Sequence, residues 1–144
     1  MLVFAIAAAF VTHAAVPPPE VQVAACARSV PFHLLELSSS GDLLGAQVIS
    51  EPDGTVGCRQ TYAIEGIAVE VDERAAEAAD QPPTPSVAVT IFSLDGYPAA
   101  YASSGDGYSS LDAITWYRPD VLVRVWSAGR ASAPMLIDVT LGLR

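Results

Sequence analysis

From about residue 30 onward, apolar residues recur at every second position rather than every third or fourth. That period places alternate side chains on opposite faces of an extended chain, so it favours strands over helices. Ile67, Val69 and Val71 alternate with Ala68, Glu70 and Asp72, which makes one face apolar and the other wet. Val87, Val89 and Ile91 repeat the pattern, and Val121, Val123 and Val125 alternate with Leu122, Arg124 and Trp126. Ile137, Val139 and Leu141 alternate with Asp138 and Thr140. These short runs are bounded by Gly, Pro, Asp and Ser, the residues that tight turns require.

Phe32–Leu37 and Leu43–Ile49 flank the turn-like stretch Ser38–Asp42, and Asp95–Gly96 supplies a pair able to take positive φ ahead of a returning strand over Pro98–Ser103. About eight strands with turns every 8 to 12 residues predict an all-β, antiparallel, jelly-roll-like β-sandwich. One stretch departs from the period: residues 72–80, DERAAEAAD, are rich in helix formers with Asp72 available as an N-cap. The expectation there is a short helical excursion, stopped by Pro82, Pro83 and Pro85.

Length sets the scale. Of 144 residues, residues 1–16 form an apolar run ending in small residues, the pattern of a secretory signal peptide or, if retained, of a short N-terminal membrane anchor. Residues 17–29 read as a Pro-rich linker, and residues 30–144 as one β-sandwich domain. Cys26 and Cys58 are the only cysteines. In the oxidising compartment that the leader implies they should bond, and closing a loop of about 33 residues restricts the unfolded chain by roughly 3 to 4 kcal/mol. The expected location is therefore the periplasmic or extracellular side of a bacterial envelope.

Charge excludes one class of partner. Sixteen acids against seven arginines leave a formal net charge of −9, which repels a phosphate backbone within the Debye length of about 8 to 10 Å. Nucleic acid is not expected as a partner. Ten of the acids fall between Glu36 and Asp80, while Arg118, Arg124, Arg130 and Arg144 outnumber the acids near the C-terminal end, so the fold is expected to carry an acidic and a mildly basic side.

Catalytic groups are sparse. His33 is the one histidine beyond the leader and sits in a strand pattern, and neither GxSxG nor HExxH occurs. Asp106 with Asp112 is the nearest thing to an acid pair, and Asp95, Asp106 and Asp112 are hard oxygen donors without EF-hand spacing. No catalytic residue, metal site or cofactor is expected.

The aromatic residues are distributed unevenly. Beyond the leader, Phe92, Tyr97, Tyr101, Tyr108, Trp116, Tyr117 and Trp126 crowd one stretch, leaving Phe32 and Tyr62 outside it. The segment from Tyr97 to Ser110 mixes Tyr, Ser and Gly, the composition by which binding loops combine rigid contact area with adaptable hydrogen bonding. Tyr97, Tyr101, Tyr108, Trp116 and Tyr117 are the candidate partner-binding residues. The alternative is that these rings cap the core.

Several of these runs also carry a family likeness. Tyr62–Ile64, Val87–Phe92, the turn Ser93–Gly96, Ser109–Leu111, Val121–Val125 and Pro134–Leu141 together resemble the bacterial pre-peptidase C-terminal domain over about residues 60–143. The resemblance implies a non-catalytic β-sandwich appended to exported proteins. Members often carry Asp-x-Asp-Leu ahead of the strand matching Val87–Phe92, and here the residues are Pro85-Ser86-Val87-Ala88, so a calcium site is not carried over.

The expectation that emerges is an extracytoplasmic accessory subunit docking onto a larger envelope or membrane protein assembly. Residues 1–16 offer membrane association if they are retained. A secreted carbohydrate-binding module, with polysaccharide stacked on the aromatic rings, is the alternative.

Overall fold

The computed structural model describes residues 15–38, 41–103, 112–128 and 131–144. The fold is all-β and antiparallel, sandwich-like, with two short helices. Seven strands, β1 (Asp42–Ser50), β2 (Val56–Ile64), β3 (Ile67–Ala75), β4 (Val89–Leu94), β5 (Tyr97–Ala102), β6 (Asp112–Tyr117) and β7 (Val121–Ser127), form one sheet in the order β1-β2-β3-β7-β6-β5-β4. Helix α1 (Pro19–Ser29) precedes the sheet and α2 (Ala133–Gly142) follows it.

The period-two pattern decides which face is buried. Tyr62, Val69, Val71, Val121, Val123, Val125, Ile114, Trp116 and Ala99 share the inner face, where Leu136, Val139 and Leu143 close the core. Asp95 (φ 50°) and Gly96 (φ 83°) make the β4–β5 turn expected from their sequence, and Glu65 (φ 49°) and Gly66 (φ 77°) make the β2–β3 turn in the same way.

The seven strands agree with the expected number of about eight, and four readings of individual segments are corrected. Residues 72–75 are strand, and residues 76–80 form a turn. A nine-residue run cannot sustain an isolated helix in water, whereas the ladder to β2 and β7 pairs Asp72 with Arg59 and Arg124 at once. Arg74 then grips Asp80 through two bonds of 2.8 and 2.5 Å, and Asp80 accepts from the Glu77 amide at 2.7 Å, which sets the turn.

Residues 134–141 are helical despite their alternation. Ser132 caps the helix by accepting from Met135 N, Pro134 lies in the first turn, and Leu136, Val139, Thr140 and Leu143 form a buried face with helical spacing. The stretch read as a Pro-rich linker is likewise ordered from Pro19 as α1, with Pro19 at the start, Glu20 in the first turn and Arg28 in the last. Of Phe32–Leu37, only the end pairs: Glu36 exchanges two backbone bonds of 2.9 Å with Arg144, and Leu37 forms an isolated bridge to Leu143.

Cys26 of α1 is bonded to Cys58 of β2, with Cα atoms 5.7 Å apart. This bond ties α1 to the sheet and is of the kind that persists in an oxidising, extracytoplasmic environment. No helix among the described residues is long and apolar enough to cross a membrane. Residues 1–14, which carry most of the leader reading, lie outside the described residues.

Candidate functional site: an aromatic recess around Arg118

One end of the sheet brings three chain reversals together. β5 starts at Tyr97, β6 ends at Tyr117, and Arg118-Pro119-Asp120 leads into β7 beside the turn that follows β3. The Ala76 amide donates to the Asp120 carbonyl at 3.1 Å, which fixes that turn against the β6–β7 connection. Between them lies a recess of about 420 Å³ walled by Tyr97, Pro98, Tyr117, Arg118, Pro119 and Leu122, with Glu77 and Asp80 on its rim. Two rings and two prolines give the walls flat, stiff surfaces.

Arg118 is the charged group of the recess. Its guanidinium carbon lies 4.9 Å from the centroid of the Trp116 ring and 5.9 Å from that of Tyr97, within cation–π range of both. Its Nε lies 3.6 Å from Asp120 Oδ1, too far for a hydrogen bond, and is the one buried side-chain nitrogen or oxygen without a hydrogen-bond partner among the described residues. Arg59 and Arg74, by contrast, are each paired bidentately with a carboxylate.

The neighbouring titrations follow from these contacts. Asp80 is held below the usual carboxylate range by its hydrogen bonds from Arg74, so the rim acid stays ionised and paired. Burial, and then the charge of Asp80, push the Tyr117 phenol up, which keeps it a neutral hydrogen-bond donor at ordinary pH.

The structure separates the predicted aromatic residues. Tyr97, exposed, and Tyr117, half-buried, line the recess. Trp116 is fully buried, and its indole nitrogen donates to the Leu94 carbonyl at 3.1 Å, so it backs Arg118 rather than meeting a partner directly. Tyr101 is half-buried and packs against the core. Tyr108 lies outside the described residues. Trp126, on the outer face, is flanked by Arg59 at 5.1 Å and Arg124 at 5.9 Å, and its indole donates to Asp72 at 3.1 Å.

Sequence reasoning missed Arg118 and a buried polar chain. In that chain Glu73, fully buried, accepts from Leu35 N at 3.0 Å and from Gln60 Nε2 at 2.9 Å. Gln60 also donates to Leu35 O, and the Tyr62 hydroxyl donates to Gln60 and accepts from Leu37 N. Burial dominates here and pushes the Glu73 carboxyl up to about 7, against the lowering effect of the Leu35 and Gln60 hydrogen bonds. The signal for Glu73 was present, because it continues the phase of Val69 and Val71, but the helix reading of 72–80 masked it. Its carboxyl is sealed inside and bonded to groups of its own chain, so it pins residues 35–37 to the sheet instead of facing a substrate.

Among the described residues, no cluster of three or more His, Cys, Asp or Glu side chains is arranged to hold a metal ion. Comparison of the chain with protein-family models, with curated proteins and with solved structures returned no match.

Proposed function

We propose that this is a non-catalytic interaction domain on the extracytoplasmic side of a bacterial envelope, an accessory subunit that docks a protein partner through the recess around Arg118. The observation that carries this reading is the state of Arg118 itself, a cation stacked between two rings, unlike Arg59 and Arg74 in having no bidentate carboxylate. A docked segment that brings a carboxylate or backbone carbonyl to that guanidinium, and proline or aromatic side chains to Tyr97 and Tyr117, gains charge-assisted and ring contacts together. The disulfide supports the placement outside the cytoplasm, and the likeness to the pre-peptidase C-terminal domain agrees with a non-catalytic role. Residues 1–16, if retained, hold the subunit at a membrane.

The test is a mild-detergent pull-down from native envelopes with the tagged wild-type chain and two variants, Tyr97→Ala/Tyr117→Ala and Arg118→Ala. A stoichiometric partner recovered by wild type and lost by at least about tenfold in both variants is the expected result. Equal recovery by all three overturns the recess as the docking site, and retention on polysaccharide alone points to the carbohydrate-binding alternative.

A further inference from the structure

The two edges of the sheet are treated differently. At β1, Gln22 of α1 accepts from the Ala46 amide at 2.9 Å and donates to the Pro17 carbonyl at 2.6 Å, so a helix side chain occupies the outer edge. It lies so close that a Cβ added at Gly45 would meet Gln22 Oε1 at 2.9 Å.

At β4 the pairing fixes which backbone groups face outward. Leu94 and Tyr97 close the two-residue turn, and the Ala88 carbonyl accepts from Ser103 N, so even-numbered residues turn their amides and carbonyls toward β5. Val89, Ile91 and Ser93 face away. The outward groups of Val89 are met by Ser86 at 3.0 and 3.3 Å. Those of Ile91 and Ser93 have no partner among the described residues.

The strand itself, Val-Thr-Ile-Phe-Ser-Leu, carries no charge and no proline, the devices by which sheet edges are normally blunted. Ile91 and Phe92 are half-buried and lie on opposite faces, so a strand laid alongside would find an apolar neighbour on each side.

We propose that the β4 edge takes up an extended, uncharged segment of a partner protein as an eighth strand, bonded to the backbone of Ile91 and Ser93 and favouring apolar β-branched or aromatic side chains. Backbone is the chemistry that matches two outward amide and carbonyl pairs in one ladder. A second copy of the chain fits poorly. The two-fold arrangement that uses both Ile91 and Ser93 sets Asp95 of the copy opposite Val89, where Ser86 already sits, and it brings two chains of net charge −9 together. This site is separate from the recess and stands or falls independently of it.

The probe is an acetylated, amidated peptide of about six residues alternating threonine and valine, long enough for a short strand. It is added to the disulfide-intact, ¹⁵N-labelled protein. The Ile91 and Ser93 amides, fast-exchanging in the free protein, are expected to slow by about tenfold or more at about 1 mM peptide, while the Ala46 and Val89 amides stay unchanged. Ser93→Pro, which deletes an outward amide where an edge strand tolerates proline, abolishes the effect. Ser93→Ala and Tyr97→Ala keep it, the latter separating this site from the recess. A peptide N-methylated at every residue, which has no amide donor on either edge, tests the same backbone bonds without altering the protein, and it should not protect.

Unchanged exchange at Ile91 and Ser93, or equal protection by the N-methylated peptide, overturns the proposal. So does protection of those amides that rises with protein concentration alone, because a second copy is then the occupant.

Discussion

The flank built from α1, β1 and β2 and the flank built from β4, β5 and the β6 terminus belong to one sheet and share one core, but their polar groups have different destinations. On the first, Cys26–Cys58 pins the helix, Gln22 covers the edge, and Glu73, Gln60 and Tyr62 hold residues 35–37 through bonds that end inside the chain. On the second, described residues leave Arg118 Nε unbonded, leave the outward amides of Ile91 and Ser93 unpaired, and expose Tyr97 at the rim. The first flank closes its polar groups within the chain, and the second leaves some of them open among the described residues. A small domain with one core can sustain the second because cross-links and buried bonds stabilise the first.

That contrast can be tested by attacking the closed flank. The largest effect is expected from Cys26→Ala/Cys58→Ala, which frees a loop with a sequence separation of 32 residues and should lower the unfolding free energy by about 3 to 4 kcal/mol in urea titration. If the open flank depends on the closed one only through global stability, exchange at Ile91 and Ser93 stays unchanged under native conditions.

A somewhat smaller effect follows from Glu73. Its carboxyl titrates near 7 in the folded chain against 4.5 unfolded, so the folded state holds its proton more tightly. The stability this confers is full below pH 4.5 and is lost as pH rises through 7, amounting to about 3 kcal/mol. Denaturation midpoints of wild type should fall between pH 5 and 8, and Glu73→Gln should flatten that slope. A slope identical in the two proteins would remove Glu73 as its source.

The smallest effect belongs to Gln22→Ala. It should cost about 1 kcal/mol and speed exchange at Ala46, turning the covered edge into a second open one. Peptide protection that then appears at Ala46 as well as at Ile91 would establish that cover, rather than strand sequence, distinguishes the two edges.

Much of the sheet was legible in the sequence, because alternation survives wherever one face is buried. Val69 and Val71 on β3 and Val121, Val123 and Val125 on β7 lie as the pattern requires, and Asp95–Gly96 turns where its backbone freedom predicts. Three of the misread segments lost to pairing or to a competing local signal. Asp72–Ala75 has helix-forming composition, but β2 and β7 compete for its backbone and win. Pro134–Leu141 alternates and also carries an i, i+3, i+4, i+7 face, and the cap at Ser132 selects the helix. Pro17 to Pro19 look like a linker, yet proline is equally at home in the first turn of α1. In the candidate site, the aromatic residues were visible as a cluster. That Tyr97 and Tyr117 face outward while Trp116 faces inward depends on strand phase, and the role of Arg118 depends on where its neighbours end.

The strand order divides the sheet into two meanders, β1-β2-β3 and β4-β5-β6-β7, each made of neighbours in sequence. A single seam, β3 against β7, joins them, with partners between 46 residues apart, Ala75 with Val121, and 56 residues apart, Glu70 with Trp126. Each meander can assemble from local contacts, whereas the seam must close a long loop before it gains anything. Folding therefore has one step that must wait for a long loop to close, the docking of β7 on β3. Until that moment β3 and β7 are both bare edges, and the disulfide between α1 and β2 holds the helix on the waiting half of the sheet.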